Sequence, residues 1–539
     1  MLLRKSPSFS DHIKHIWNLN RDRLRQQRRM RQFMQNAKGW PPFCTAGVVY
    51  NGPTTLVFSE HPYALESELL LACQAEAGGC KCLLAGTEMS IRYWRAMGFP
   101  PERLILWNSY MERFLHEAEN TAEAVMLENP DYEQLMNFEF KGVNLGRHAL
   151  SAVGRKHFKA VFDPQEPEIR SSIVTFFQRS IQKTLAARAL FKEHGILQVL
   201  MNEPNYDNIG ISRSIVLAGG SYIQFCQPFE ESAFVLKRYR SDNGCVHPIS
   251  LSKQSWNALL ERNEKDLDVE IQKIFDVKYG GKNELSRRIG LDSPHMSKEA
   301  VIAKIALNPM RRTAVIFSHV LWDANMFWGT DLFVGGSEEW LIETIRLAMQ
   351  NPDVNWLVKV HPANVWKMRA AGKEIVYNDV MAIEKKLGPM PSHVRIILPE
   401  DNINPWSLFK VTDVGFTIRG TIGMELPLLG IPVVTAGTGR YDRHGFTIDP
   451  QTIEEYTRIV ETVQDLPRLG LEQIDRAKRF FWGISNPRAW RSDLFSVISK
   501  YGSHEFCVRL NPWSNSSAAD QALWNFFSDG LSEDYVYYG

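Results

Sequence analysis

Five short apolar runs separated by helix-length stretches fill residues 313 to 435, and no other feature of the chain restricts its fold as strongly. The runs are Thr313 to Phe317, Val354 to Val360, Val394 to Leu398, Val414 to Thr417 and Pro432 to Thr435. Between them Glu338 to Met349, Asn378 to Leu387 and Trp406 to Lys410 read as helices, and Gly420-Thr421-Ile422-Gly423 opens a further helix that stops at Gly430. Strands alternating with helices predict a parallel sheet covered on both faces, because each crossover lays its helix on the sheet.

A less regular copy of the pattern comes first. Lys81 to Ala85, Leu104 to Trp107, Ile196 to Met201 and Tyr222 to Cys226 read as strands, Tyr63 to Ala77 and Ser90 to Met97 as helices, and Glu112 to Glu193 as largely helical. From Asp276 to Glu299 the text turns polar and turn-rich, which places a boundary there. At 539 residues the chain exceeds one ordinary core. The expectation is therefore an α/β protein of two Rossmann-like domains facing across a cleft. Residues 1–40 form an arm, 41–290 the first domain and 300–470 the second. Residues 471–539 carry helices that cross back, Leu471 to Trp482 and Trp490 to Lys500, and a tail.

Charge and cysteine content narrow the partners. With 62 Lys+Arg against 61 Asp+Glu the net charge is +1, which offers no general attraction for nucleic acid. Basic residues concentrate locally in the arm, where Lys14, Arg21, Arg23, Arg25, Arg28, Arg29 and Arg31 share a predicted helix with Ile13, Ile16, Trp17, Leu24, Met30 and Phe33. Residues 12–34 thus suit an interfacial helix on anionic lipid, or an arm docked on its own protein. No apolar run approaches the roughly 20 residues that span a bilayer, and residues 1–40 lack the apolar core of a secretory signal. A cytoplasmic protein, peripheral on the inner face of the membrane at most, is expected. Seven cysteines without a regular framework agree with a reducing compartment. Cys80 and Cys82 form only a C-x-C and read as strand residues, not metal ligands.

The chemistry concentrates in Thr412-Asp413-Val414-Gly415-Phe416-Thr417-Ile418-Arg419-Gly420-Thr421-Ile422-Gly423-Met424-Glu425. A strand that ends in a glycine turn and leads into a helix points unpaired N–H groups into the crevice, where they can hold a phosphate without a cationic side chain. Gly420 and Gly423 allow close approach, Thr417 and Thr421 can donate to the same oxygens, and Glu425 can accept from ribose hydroxyls. His361 closes the strand that carries Lys359, and Pro362 fixes an extended exit. The imidazole then shares an edge with the phosphate turn, placed to hold a diphosphate oxygen or protonate a leaving phosphate. His319 and Asp323, after the first strand of this series, can face the same cleft. So can the loop Gly437 to Phe446, in which Arg440 or Arg443 could neutralise phosphate and Tyr441 could stack on a base.

Together, VKVHP, then TD-x-GFT-x-RGT-x-GMELPLLG-x-PVV, then AGTGRY-x-x-HGF resemble bacterial GT-B glycosyltransferases of the capsular polysaccharide class, chiefly the capsule Kdo transferases and more distantly the teichoic-acid glycerophosphotransferases. The resemblance covers about a quarter of the chain. It implies donor-phosphate binding by His361 and Thr421, a part for Glu425, and an inverting transfer that needs neither metal ion nor cofactor. The implied ligands are a CMP-, UDP- or GDP-linked sugar donor and a glycan or lipid-linked glycan acceptor, handled in capsule or other surface-polysaccharide synthesis. The first half departs from the related acidic motif D/E-D/E-G, so the base is sought among acids at strand ends. Glu203 and Asp207 come first, Glu60 and His61 second. Alternatives are a teichoic-type polyol-phosphate transferase, a sugar-nucleotide 2-epimerase and a catalytically silent glycan-binding subunit.

Overall fold

The computed structural model describes residues 50–60, 64–228, 232–241, 245–262, 266–280, 293–323, 326–499, 506–511 and 516–539, together with Arg28, Arg31 and Gln35. The basic arm expected over residues 1–40 otherwise lies outside the described residues, as does His61.

Two sheets organise the chain. The first contains β1 (Thr54–Ser59), β2 (Lys81–Gly86), β3 (Leu104–Leu106), β6 (Gln198–Met201), β7 (Ser221–Cys226), β8 (Phe234–Tyr239) and β14 (Ala489–Trp490). Between its third and fourth members a short hairpin, β4 (Glu139–Phe140) and β5 (Val143–Asn144), stands apart. The second sheet contains β9 (Thr313–Phe317), β10 (Asn355–Lys359), β11 (Val394–Ile397), β12 (Val414–Thr417) and β13 (Val433–Thr435), and a second hairpin pairs β15 (Phe495–Ser499) with β16 (Phe506–Leu510). The strand orders are β14-β8-β7-β6-β1-β2-β3 and β11-β10-β9-β12-β13. Counted from its own first strand, the parallel part of each sheet runs 3-2-1-4-5, the doubly wound order.

The second sheet shows why these sequences make buried strands. Every residue of β9 is buried, and its side chains divide by alternation. Ala314 and Ile316 pack on one face with Trp340, Trp356 and Phe416, while Val315 and Phe317 pack on the other with Leu357 and Phe480. Phe480 belongs to the helix Leu471–Ser485, which closes that second face.

Past that helix the chain returns to the first domain. The helix expected from Trp490 to Lys500 is not formed. Trp490 instead pairs antiparallel with Phe234 in β14, and Phe495 to Ser499 make β15. Asp534, buried near the C-terminus, fixes this return: it accepts from Lys237 of β8 at 2.8 Å and from the Ser252 amide at 2.8 Å, and it pairs with Arg488 at 3.2 Å.

The carboxyl-end loops of the two sheets meet. Tyr206, after β6, donates to Asp323, after β9, at 2.8 Å, and its ring lies edge-on to Phe327 at 4.7 Å. Tyr206 holds φ 54°, a conformation uncommon for a bulky residue and fixed here by these contacts. Two Rossmann-like domains facing in this way make the GT-B architecture. Among the described residues no helix is long and apolar enough to cross a membrane.

Candidate functional site

Register decides which side chains share an edge. Lys359 lies opposite Phe317, and Phe416 lies opposite Ile316, so β9, β10 and β12 all end at one level. The segments that follow them, Ser318-His319, Val360-His361 and Ile418 to Thr421, leave on that same side. This is the switch point of the sheet, where strand order reverses between β9 and β12 and a crevice opens. A cavity of about 140 Å³ lies there, lined by His319, Lys359, His361, Thr417, Gly420, Thr421 and Glu425. The sequence reading placed these seven on one edge. Lys278, Tyr279, Ser318 and Pro405 are also among the walls and were not foreseen.

The turn after β12 is held by a relay of hydrogen bonds. The Gly420 amide donates to Thr417 Oγ1 at 3.1 Å, and that hydroxyl lies 3.1 Å from His319 Nε2, which also accepts the Ile418 amide at 3.2 Å. Nε2 of His319 is therefore an acceptor and its proton sits on Nδ1. Burial, then His361, Arg419 and Arg440, lowers the His319 pKa to about 3, so this ring is neutral.

Four expectations for this turn and its surroundings need correction. The Gly420 amide serves Thr417 rather than the cavity, and among the described residues it is the amides of Thr421 and Ile422 that make no hydrogen bond within the protein. The helix that begins here is four residues of α-helix, Ile422–Glu425, continued as the 3₁₀ turn Leu426–Leu429. So short a segment sums few peptide dipoles, and individual amides replace the macrodipole. Tyr441 does not stack on a base: it is 1% exposed and its hydroxyl donates to the Gly420 carbonyl at 2.7 Å. Its ring fills the space beside Gly423, where an added Cβ would meet the hydroxyl at 2.1 Å, so that glycine serves packing.

Glu425 is also committed within the protein. Oε1 takes Lys278 and Oε2 takes the Tyr279 hydroxyl, both from the end of the helix Leu267–Tyr279. Burial would raise this carboxyl, but Lys278 and the hydrogen bonds outweigh it and hold the pKa below the ordinary value. A ribose would have to displace them.

Lys359 is different. It is 8% exposed, and no hydrogen bond or ion pair among the described residues reaches its ammonium. Burial lowers its pKa to about 8 against the distant pull of Asp401 and Glu400, so at neutral pH it keeps its charge. Beside it His361 Nδ1 accepts the Ala363 amide at 3.1 Å, which leaves Nε2–H as a donor. Burial and Lys359 lower this pKa to about 4. The ring is thus a neutral hydrogen-bond donor at neutral pH and not the proton source expected for a leaving phosphate.

Among the described residues, none from the first sheet or its carboxyl-end loops lines this cavity; Lys278 and Tyr279 come from the helix Leu267–Tyr279, which precedes the second sheet. At the first sheet's own switch point Lys183, with a side chain 0% exposed, reaches Glu60 at 2.6 Å, Asp207 at 3.1 Å and Asn208 at 2.7 Å. Arg179 adds a second contact to Asp207 at 2.9 Å. The Glu203 carbonyl accepts from Asn208 Nδ2 at 3.0 Å, but its carboxylate makes no ion pair with Lys183 or Arg179 among the described residues. Burial raises its pKa, opposed by Arg155 and Asn205. In the remaining loops, Arg440 donates to the Arg419 carbonyl at 3.2 Å, exposed Arg443 donates to Gln451, and Asp323 is taken by Tyr206 and Lys367.

No protein-family model matches the chain, and no curated protein matches it significantly. Among solved structures it is similar to a KpsC β-Kdo 2,4 transferase of Thermosulfurimonas dismutans, with 14% identity over 54% of this chain and 80% of that one, TM-score 0.33. It is also similar to MnaA of S. aureus solved with UDP, with 10% identity over 90% and 100%, TM-score 0.28. A third is the UDP-GlcNAc 2-epimerase of Neisseria meningitidis bound to UDP-GlcNAc, with 12% identity over 80% and 96%, TM-score 0.25.

Proposed function

We propose that this chain is an inverting glycosyltransferase whose second domain binds the phosphate of a nucleotide-sugar donor, for a glycan acceptor in capsule or related surface-polysaccharide assembly. The observation that carries the reading is the charged Lys359, unpaired among the described residues, in a cavity lined also by Thr421 and Ile422, whose amides make no hydrogen bond there, and by His361 with its Nε2–H. A buried cation without a partner is costly, and an anionic ligand removes that cost. As the bond from sugar to phosphate breaks, negative charge builds on the leaving oxygen. Fixed donors aimed at that charge stabilise the transition state more than the ground state. Glu203 takes the acceptor hydroxyl's proton. Burial raises its pKa above the ordinary carboxylate value and so makes it the stronger base, whereas Asp207 is committed to Lys183 and Arg179.

The test is thermal unfolding of the full chain with CMP, UDP and GDP, then turnover with the matching nucleotide sugar. A ligand at a hundred times its Kd stabilises by about 2.7 kcal/mol, a clear shift. No stabilisation by any nucleotide or nucleotide sugar would replace the enzyme with a silent glycan-binding subunit. Sugar inversion at C2 without acceptor would replace the transferase with an epimerase.

A further inference from the structure

Behind the His361-Pro362 exit lies a carboxyl group that the proposed donor site does not use. Asp379, in the first turn of the helix Asn378–Leu387, is 0% exposed and forms no ion pair among the described residues. Its Oδ2 accepts from Ser318 Oγ and from Asn364 Nδ2, each at 3.3 Å. Ser318 Oγ in turn accepts the His361 amide at 3.2 Å, and the Ser318 amide donates to the Lys359 carbonyl at 3.1 Å. One carboxyl oxygen is thus linked through a single serine to the backbone of both cavity residues. The other oxygen, Oδ1, is buried without a partner, and so is Oδ1 of its hydrogen-bonded neighbour Asn364. Two buried orphan acceptors and no donor is an expensive arrangement, and a proton on Asp379 supplies the missing donor.

We propose that Asp379 is a positioning residue whose protonation, relayed by Ser318, sets the placement of His361 in the cavity. The functional meaning of that placement rests on the donor-site reading above. Burial raises the Asp379 pKa to about 7, with a further push from Glu338, so the group changes state near neutrality. The groups around it are Ser318 from the β9 exit, Asn364 from the helix Ala363–Ala370, and Glu338 from the helix Gly336–Met349, itself paired with Lys386 at 2.7 Å. Lys359 and His361 lie beyond Ser318. His361, held near 4, does not itself titrate around neutrality, and Lys359, near 8, gives a separate transition.

The experiment is a ligand-free NMR titration of the full chain with ¹³Cε1-labelled histidine, between about pH 5.5 and 9. The His361 signal is assigned by its loss in His361→Gln. In the wild type it moves with a midpoint near 7. Asp379→Asn abolishes that transition and keeps the one near 8. Ser318→Ala, which leaves the carboxyl and cuts the relay, shrinks it at least about twofold. A wild-type signal with no transition near 7, or a full transition in either variant, overturns the proposal. If Asp379→Asn does not fold, Ser318→Ala alone decides. No nucleotide is present, so a chain that binds none would discard the proposed function while this result stands on its own.

Discussion

At the carboxyl edge of the first sheet, between β1 and β6, Lys183 is enclosed by Glu60, Asp207 and Asn208. At the matching edge of the second sheet, Lys359 at the end of β10 faces the crevice between β9 and β12 and forms no ion pair among the described residues. Both lysines are buried, and both stand where a doubly wound sheet opens a crevice. The first crevice is neutralised by the protein's own acids. The second leaves a cation that, in the function proposed above, takes an anion from solution as its partner. A shared strand order therefore provides two equivalent places, and the pairing of one lysine in each separates a structural cluster from the proposed binding site.

The largest expected effect breaks the first side of that contrast. Lys183→Met removes the buried cation from between Glu60 and Asp207, leaves them the half-exposed Arg179, and lowers unfolding free energy by about 3 kcal/mol, measured by denaturant titration. Nucleotide affinity of the folded fraction stays unchanged; a parallel loss of affinity would mean that the two crevices are not separate. Lys359→Met acts on the other side. It removes a charge-assisted contact worth about 1.5–3 kcal/mol of nucleotide affinity, a factor of about 10 to 150 by calorimetry, with little loss of stability. Unaltered affinity would remove the anion from the cavity.

A pH series sharpens the same comparison. The Lys359 pKa is lowered to about 8, so its charge is present below that value and disappears as pH rises through it. Affinity for a nucleotide should fall above about pH 8, by at most about tenfold per unit. Lys359→Met should flatten that decline, and a wild-type affinity that grows with pH would contradict the assignment. The smallest effects belong to Thr421→Ala and His361→Ala. The imidazole variant loses one neutral hydrogen bond, about 0.5–1.5 kcal/mol and hence a few-fold in affinity, without unfolding. The Thr421 variant keeps the amide that faces the cavity and should lose less. Equal and large losses in both would show that the hydroxyl contacts the ligand directly.

The second sheet was legible because its strands are buried on both faces. The strands Thr313–Phe317 and Val414–Thr417 read from sequence coincide with the elements observed, since short apolar runs between turn residues leave little choice, and the helix Asn378–Leu387 coincides as well. The segment after Trp490 was misread for the opposite reason. A short apolar run fits helix or strand alike, and the choice fell to Phe234, which pairs with Trp490 from far away in the chain. Strand β8 hides in the same way: Lys237 and Arg238 look like surface residues, yet both are buried against the C-terminal segment through Asp534 and Asp529.

For the site, the sequence by itself determined the edge. Alternating strands and helices bring His319, Lys359, His361 and Thr417 to the carboxyl end of one parallel sheet, because strand direction and crossover hand leave no other arrangement. Which of the charged groups there is available was decided only in three dimensions. Glu425 is claimed by Lys278 and Tyr279, about 147 residues earlier, while Lys359 has no ion pair among the described residues. Secondary structure is written in local periodicity. The pairing of buried charges depends on contacts between distant segments, which no local pattern records.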